Sequence, residues 1–258
     1  MSALRDLVEH KRREIADRRR ARPISALRDA PRPPARDFAA ALRRPGLSFI
    51  AEIKRRSPSR GAIRETLDPA EIAIEYETAG AAALSVLTES SQFGGRDADL
   101  TVARAAVGLP VLRKDFTIDA YQIHEAAVIG ADAVLLIARI LSDGDLIDLL
   151  TLAAELRLAS LVEVHDEYEL DRALRFDAAI IGINNRDLDS LRVDLDTCLR
   201  LRPRVPAGVV TVAESGLHTR DDVLRIESAG FDAVLVGEAL LTSPRPGQRL
   251  RELAGTLS

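Results

Sequence analysis

The chain has 258 residues, 47% of them apolar and 29% charged, which is the composition of a soluble folded protein with material for a sizeable core. A net charge of -4 gives no support to a nucleic-acid partner, and no apolar run approaches a membrane span or the hydrophobic core of a secretory signal. A single cysteine, Cys198, excludes an intrachain disulfide and any cysteine-built metal site, and fits a cytoplasmic setting.

Residues 1 to about 48 read as an N-terminal extension. Leu4, Leu7, Val8, Lys11 and Ile15 have helical spacing in a highly charged segment, which predicts a helix packing one edge on a larger body. Lys11 and Arg18 alternate with Glu14 and Asp17 as on a solvated face. Residues 22–34 contain four prolines and read as a loop or strap, and Phe38, Ala39 and Leu42 mark a short helix before the first strand.

From Ser48 onward, apolar β-rich runs alternate with helical patterns. The runs are FIAEIK at 49–54, AALSVLT at 82–88, PVLRKDF at 110–116, AVLLIAR at 133–139, ASLVEVH at 159–165, AIIGINN at 179–185, VVTVAES at 209–215 and AVLVGEA at 233–239. Each starts about 20 to 33 residues after the last, room for a strand, a helix and two loops. Eight such units predict an α/β fold, a (β/α)8 TIM barrel with an N-terminal helical extension, in one domain over residues 1–258. A doubly wound sheet is the rival; it usually has fewer strands, and no GxGxxG turn is present. Asp68-Pro69, Ser142 with Asp145, Asp166 with Glu169, and Thr219 with Asp222 supply helix starts, and glycines at 80, 130 and 230 supply stops before the second, fourth and eighth strands.

Polar residues gather where the strands end, the rim at which such barrels bind ligands. Glu52 and Lys54 follow the first strand, Ser85, Thr88 and Glu89 the second, Arg113, Lys114 and Asp115 the third. Glu163 and His165 end the fifth, Asn184, Asn185 and Arg186 the sixth, Glu214, Ser215 and Gly216 the seventh, and Gly237 and Glu238 the eighth. Ser215-Gly216 and Gly237 can bring backbone N–H groups to a phosphate, with Ser57 and the Lys54 ammonium completing the cradle from the first strand, whose turn-rich loop, with Ser57, Ser59, Arg60 and Gly61, suits an anionic ligand.

Lysine occurs only at positions 11, 54 and 114, so 33 of the 36 basic residues are arginine. An ammonium can exchange a proton where a guanidinium cannot, which marks Lys54 and Lys114 for acid–base chemistry; Lys11 is assigned to a surface helix. Glu163 faces Lys114 across the mouth as a second proton-transfer group, Asn184 can hold a hydroxyl or water, and Arg186 can bind a carboxylate through its planar fork. His124, His165 and His218 form no spaced metal-ligand set and read as loop or cap residues, so no metal and no cofactor is expected. These residues alone leave open a Schiff-base aldolase, a phosphosugar isomerase and a non-catalytic phosphosugar-binding barrel.

Seven stretches, in order along the barrel, carry a resemblance: FIAEIKRRSPSRG at 49–61, YETAGAAALSVLTESSQFGG at 76–95, PVLRKDFTIDAYQIHEAAVIGADAVLLI at 110–137, LVEVHDEYEL at 161–170, IGINNRDL at 181–188, VAESGL at 212–217 and LVGEALL at 235–241. Together they resemble indole-3-glycerol phosphate synthase, the ring-closing enzyme of tryptophan biosynthesis. The resemblance implies a phosphorylated small-molecule substrate, 1-(2-carboxyphenylamino)-1-deoxyribulose 5-phosphate, closed with loss of carbon dioxide and water. It implies Lys114 as principal general acid, Glu163 as second catalytic carboxylate, Glu52 and Lys54 as the pair on the first strand, and Asn184 and Arg186 on the sixth. Glu214 and Ser215 match the seventh strand, and Ser57, Ser215, Gly216 and Gly237 match phosphate contacts. Many members carry serine where this chain has Glu238, whose N–H can serve while its carboxylate must point away from phosphate. The extension matches the family's element near the mouth. A monofunctional chain is expected, monomeric, with a dimer left open.

Overall fold

The computed structural model describes residues 3–58 and 60–256, which leaves the anionic-ligand reading of Ser59 outside the described residues. Eight parallel strands close into a barrel: β1 (Ser48–Ile53), β2 (Ala83–Leu87), β3 (Val111–Lys114), β4 (Ala133–Ile137), β5 (Ala159–Val164), β6 (Ile180–Asn184), β7 (Val210–Glu214) and β8 (Ala233–Val236). Each pairs with its sequence neighbours, and β8 returns to β1 through Ser48↔Ala233, which removes the free edges. All eight apolar runs are strands in the expected order. The loop after β1 holds a two-strand hairpin, Arg56–Ser57 with Gly61–Ala62, where the sequence reads only as a turn.

Alternation along each strand sorts its side chains into two cores. Phe49, Ala51 and Ile53 of β1 face outward to the helical layer, whose members include α4 (Pro69–Thr78) and α5 (Asp97–Ala106). Ile50, Leu112, Leu135, Leu161, Val212 and Leu235 fill the barrel interior. The same parity then carries each strand from an apolar layer to a polar one: Ile50 to Glu52, Leu112 to Lys114, Leu161 to Glu163 and Val212 to Glu214. The opposite end is stoppered by α3 (Phe38–Leu42), whose Phe38 and Leu42 join the interior cluster, so the polar layer opens at one rim only through this packing.

The helix starts follow their residues. Ser142 and Asp145, and Thr219 and Asp222, form reciprocal capping boxes at α7 (Asp143–Glu155) and α10 (Arg220–Ser228). Gly130 takes φ 91° at the end of α6 (Ala120–Ile129), the left-handed stop its position predicts.

The extension departs from the sequence reading in two ways. The proline-rich strap contains a helix, α2 (Ile24–Arg28), because its prolines flank rather than interrupt that run; Leu27 is buried there against Ile15 and Tyr121. Lys11 and Arg18 of α1 (Ala3–Ala21) are not on a solvated face. Lys11 is 2% exposed and pairs with Asp115 at 2.9 Å and Glu14 at 2.7 Å. Arg18 reaches Asp97 at 2.6 Å and Glu125 at 3.0 Å, and both carboxylates also bind Arg113 of β3. Burial opposes the charge on Lys11, but Asp115 and Glu14 outweigh it.

Candidate active site

One cavity of about 560 Å³ opens at the carboxyl ends of the strands, and every site residue named from the sequence lines it. Those residues are Glu52, Lys54, Ser57, Lys114, Glu163, Asn184, Arg186, Glu214, Ser215, Gly216, Gly237 and Glu238.

Two ammonium groups and three carboxylates form its polar layer. Lys54 Nζ donates to Glu52 Oε1 at 2.7 Å. Lys114 Nζ donates to Glu163 Oε2 at 2.8 Å and to Glu214 Oε2 at 2.5 Å. Burial works against the charge on Lys114, but Glu163, Glu214 and Glu52 surround it and raise its pKa well above the ordinary lysine value. The two glutamates sharing that ammonium diverge. Burial penalises Glu163 too, yet Lys114 on one oxygen and His165 beside the other hold it well below the usual carboxylate range. Glu214 has Lys114 alone against burial and the charge of Glu163, and its pKa is pushed up to about 7. Its Oε1 is buried with no hydrogen-bond partner among the described residues.

Two glycines make room for these acids. A Cβ at Gly182 would run into Glu214 Oε1, and one at Gly237 into Glu52 Oε1. At the adjoining wall Ser215 and Gly216 both take positive φ, 66° and 83°, a turn that lays backbone along the cavity between β7 and α10. Gly237 follows β8 directly, and Ser57 is buried in the first loop. The Glu238 carboxylate binds Arg60 Nε at 2.9 Å and lies 3.9 Å from Arg186 Nη2. Arg186 also donates to the Leu191 carbonyl at 3.1 Å, and its own N–H donates to Asn184 Oδ1 at 3.0 Å.

The remaining wall is apolar. Leu4 and Leu7 of α1, with Phe93, Phe116, Leu188 and Leu191, give the cavity a side suited to an aromatic ring. Sequence reasoning did not assign these residues to the site. The helical spacing of Leu4 and Leu7 was the available signal, and only the fold says that their edge faces the mouth. His165 lies in the loop after β5, as its sequence reading has it, but it is buried there between Glu163 and Glu169, contacts that the sequence did not assign.

Among the described residues no helix is long and apolar enough to cross a membrane. A solved structure of 3-hexulose-6-phosphate synthase superposes with a TM-score of 0.66, covering 82% of this chain and all of that one at 15% identity, which is a likeness of fold. The family model for indole-3-glycerol phosphate synthase matches residues 4–253. Proteins named indole-3-glycerol phosphate synthase from Parafrankia sp. and Albidiferax ferrireducens are 50% and 52% identical, over 99% and 98% of this chain and 97% and 98% of theirs. With matches of that extent beside this geometry, the chain belongs to the indole-3-glycerol phosphate synthase family.

Proposed function

We propose that this rim closes 1-(2-carboxyphenylamino)-1-deoxyribulose 5-phosphate to indole-3-glycerol phosphate, with the proton work divided among the residues of the polar layer. The observation that carries the division is the convergence of Lys54, Lys114, Glu52, Glu163 and Glu214 in one cavity beside the Ser215-Gly216 turn and Gly237. The phosphate lies against the backbone of Gly216 and Gly237, with Ser57 and Ser215 supplying hydroxyls. The anthranilate ring lies on the apolar wall of Leu4, Leu7 and Phe116, and Arg186 attracts its carboxylate.

Lys114 donates a proton to the ribulose C2' oxygen as the ring carbon attacks C2'. The carbon–carboxylate bond then breaks, its electron pair restores the aromatic ring, and carbon dioxide departs. Glu163, next to Lys114 and with the Lys54–Glu52 pair across the mouth, protonates the departing hydroxyl. A base of the same layer accepts the C1' proton, and Asn184 holds the hydroxyl until it leaves. The working unit is a monomer in the cytoplasm.

The test is direct. Purified protein is incubated with the carboxyphenylamino deoxyribulose phosphate while indole fluorescence and carbon dioxide release are followed together. Equal yields of both are expected. Binding without carbon dioxide release would count against the reading, and borohydride trapping of an amine adduct on Lys54 or Lys114 would replace it with Schiff-base chemistry. Sedimentation at micromolar concentration checks the monomer.

A further inference from the structure

Behind Glu163, on the side away from Lys114, lies a chain of charged groups that the ring closure as described does not use. His165 has the same parity as Glu163 at the end of β5 and is 7% exposed. Its Nε2 stands 3.3 Å from Glu163 Oε1, an ion-pair distance rather than a formed hydrogen bond, and has no hydrogen-bond partner among the described residues. Its Nδ1 is 2.9 Å from Glu169 Oε2, on α8 (Glu167–Arg175), and the His165 backbone N–H donates to the same oxygen at 2.8 Å. Glu169 is fixed in turn by Arg139 Nε at 2.6 Å, and Arg139 by Asp187 at 2.9 Å. This is an imidazole oriented by one carboxylate and set within 3.3 Å of another, so that Glu169 fixes the tautomer and leaves Nε2 next to Glu163.

His165 also lines a second cavity, separate in its walls from the first except at Asn184 and polar but for Val193, with Arg139, Asp166, Asp187 and Asp194 around it. The imidazole therefore stands between the enclosed Glu163 and a polar space of about 560 Å³ that is not the substrate's.

The reaction needs such a connection. The C2' oxygen takes up one proton, the departing hydroxyl a second, and C1' gives up one. With the substrate's carboxylate ionised, each turnover therefore draws one proton from solvent into a site whose mouth the substrate fills.

We propose that His165 is a positioning residue that directs Glu163 at the reacting hydroxyl and resupplies its proton from the second cavity. The inference rests on the assignment of Glu163 to dehydration. When Lys114 turns to the substrate's carbonyl oxygen, Glu163 loses the cation on Oε2 and becomes more basic. The imidazolium then passes its Nε2 proton to Glu163 Oε1 and keeps Nδ1–H on Glu169. Glu163 delivers the proton to the hydroxyl, water leaves, and the neutral ring swings Nε2 from beside Glu163 toward the second cavity, where it takes a proton from solvent before returning as the imidazolium. The groups facing the ring favour that resting charge. Burial opposes it, but Glu163 and Glu169 outweigh burial and lift the pKa to about 9; the cations nearby are Arg139 beyond Glu169 and Lys114 beyond Glu163.

The experiment is the pH dependence of kcat and KM for wild type, His165→Gln, His165→Ala and Glu169→Gln, each checked for folding by circular dichroism. Wild-type kcat is expected to decline as pH passes about 9, where the imidazolium is lost. His165→Gln keeps a hydrogen-bonding side chain without a titrating proton; its kcat falls about tenfold at neutral pH, its KM stays within about twofold, and that alkaline limb disappears. Glu169→Gln moves the limb to lower pH, since one of the supporting anions is gone. His165→Ala regains turnover when imidazole is added, because the second cavity admits it. Wild-type kcat with an unchanged limb in folded His165→Gln overturns the proposal, as does a loss in folded His165→Ala that imidazole does not restore. Should His165→Gln not fold, the Glu169→Gln limb decides. An inactive wild type would instead strike at the assignment of the site, whatever the variants do.

Discussion

At the scale of single residues, the site is a problem of charge in a confined layer: two ammonium groups must serve three carboxylates. Lys114 touches two of them, and a guanidinium in its place would keep the positive charge but offer no usable proton. Lys114→Arg is expected to retain phosphate-ester binding and lose turnover by at least about a hundredfold, the lower range for a general acid, as measured by indole fluorescence under saturating substrate. The third carboxylate leaves a mark on stability. Glu214 binds its proton more tightly folded than unfolded, so its contribution is complete below the ordinary glutamate value of 4.5 and is lost as pH rises through about 7. Glutamine cannot titrate. The melting temperature of wild type minus that of Glu214→Gln should therefore decline between about pH 5 and 7, whereas a flat difference would mean that Glu214 is ionised throughout.

At the scale of elements, α1 is held to the barrel by buried charge rather than by apolar contact alone. Replacing Lys11 with methionine keeps its volume and stem but leaves Asp115 with Arg113 at 3.7 Å and the Thr88 hydroxyl at 2.9 Å. Removing one partner of a buried pair costs about 3 kcal/mol, to be read as a lower urea midpoint, and a raised KM should accompany it because Leu4 and Leu7 ride on the same helix. Elements also show what can be read in advance. The capping boxes at Ser142 and Thr219 depend on residues three apart, and local sequence states them in full. Lys11 and Arg18 have helical neighbours of opposite sign, so their segment looks solvated; the partners that bury them, Asp115, Asp97 and Glu125, lie about a hundred residues away. The sequence places His165 in its loop but not its partners, because Arg139 and Asp187, which fix the Glu169 carboxylate beside it, follow two other strands.

For the whole molecule, closure of the sheet turns a linear order of strand ends into one ring of functional groups. The alternation of strand and helix was legible because each unit is local and its length is set by one strand and one helix. That same order placed the residues assigned to catalysis and substrate binding on one cavity, while Thr88 and Arg113, of the opposite parity to Lys114 or past it, fall outside the cavity's lining. The apolar wall was not legible, as it draws on an appended helix and three loops. The two ends of the barrel do different work, and the floor offers a clean separation. Phe38→Ala should lower stability by about 3 to 5 kcal/mol through the void left under the interior cluster, with KM unchanged because the mouth is untouched; equilibrium unfolding and steady-state kinetics check the two halves.

The scarcity of lysine has a practical side. All three side-chain amines are withdrawn from solvent, at 2% exposure for Lys11 and 13% for Lys54 and Lys114. A succinimidyl ester therefore meets almost no lysine on the folded exterior, and where it does react with one, it reports on a buried amine. An endoprotease that cleaves after lysine has no outward-facing target either, so the rate at which it fragments the chain becomes a clock for global opening.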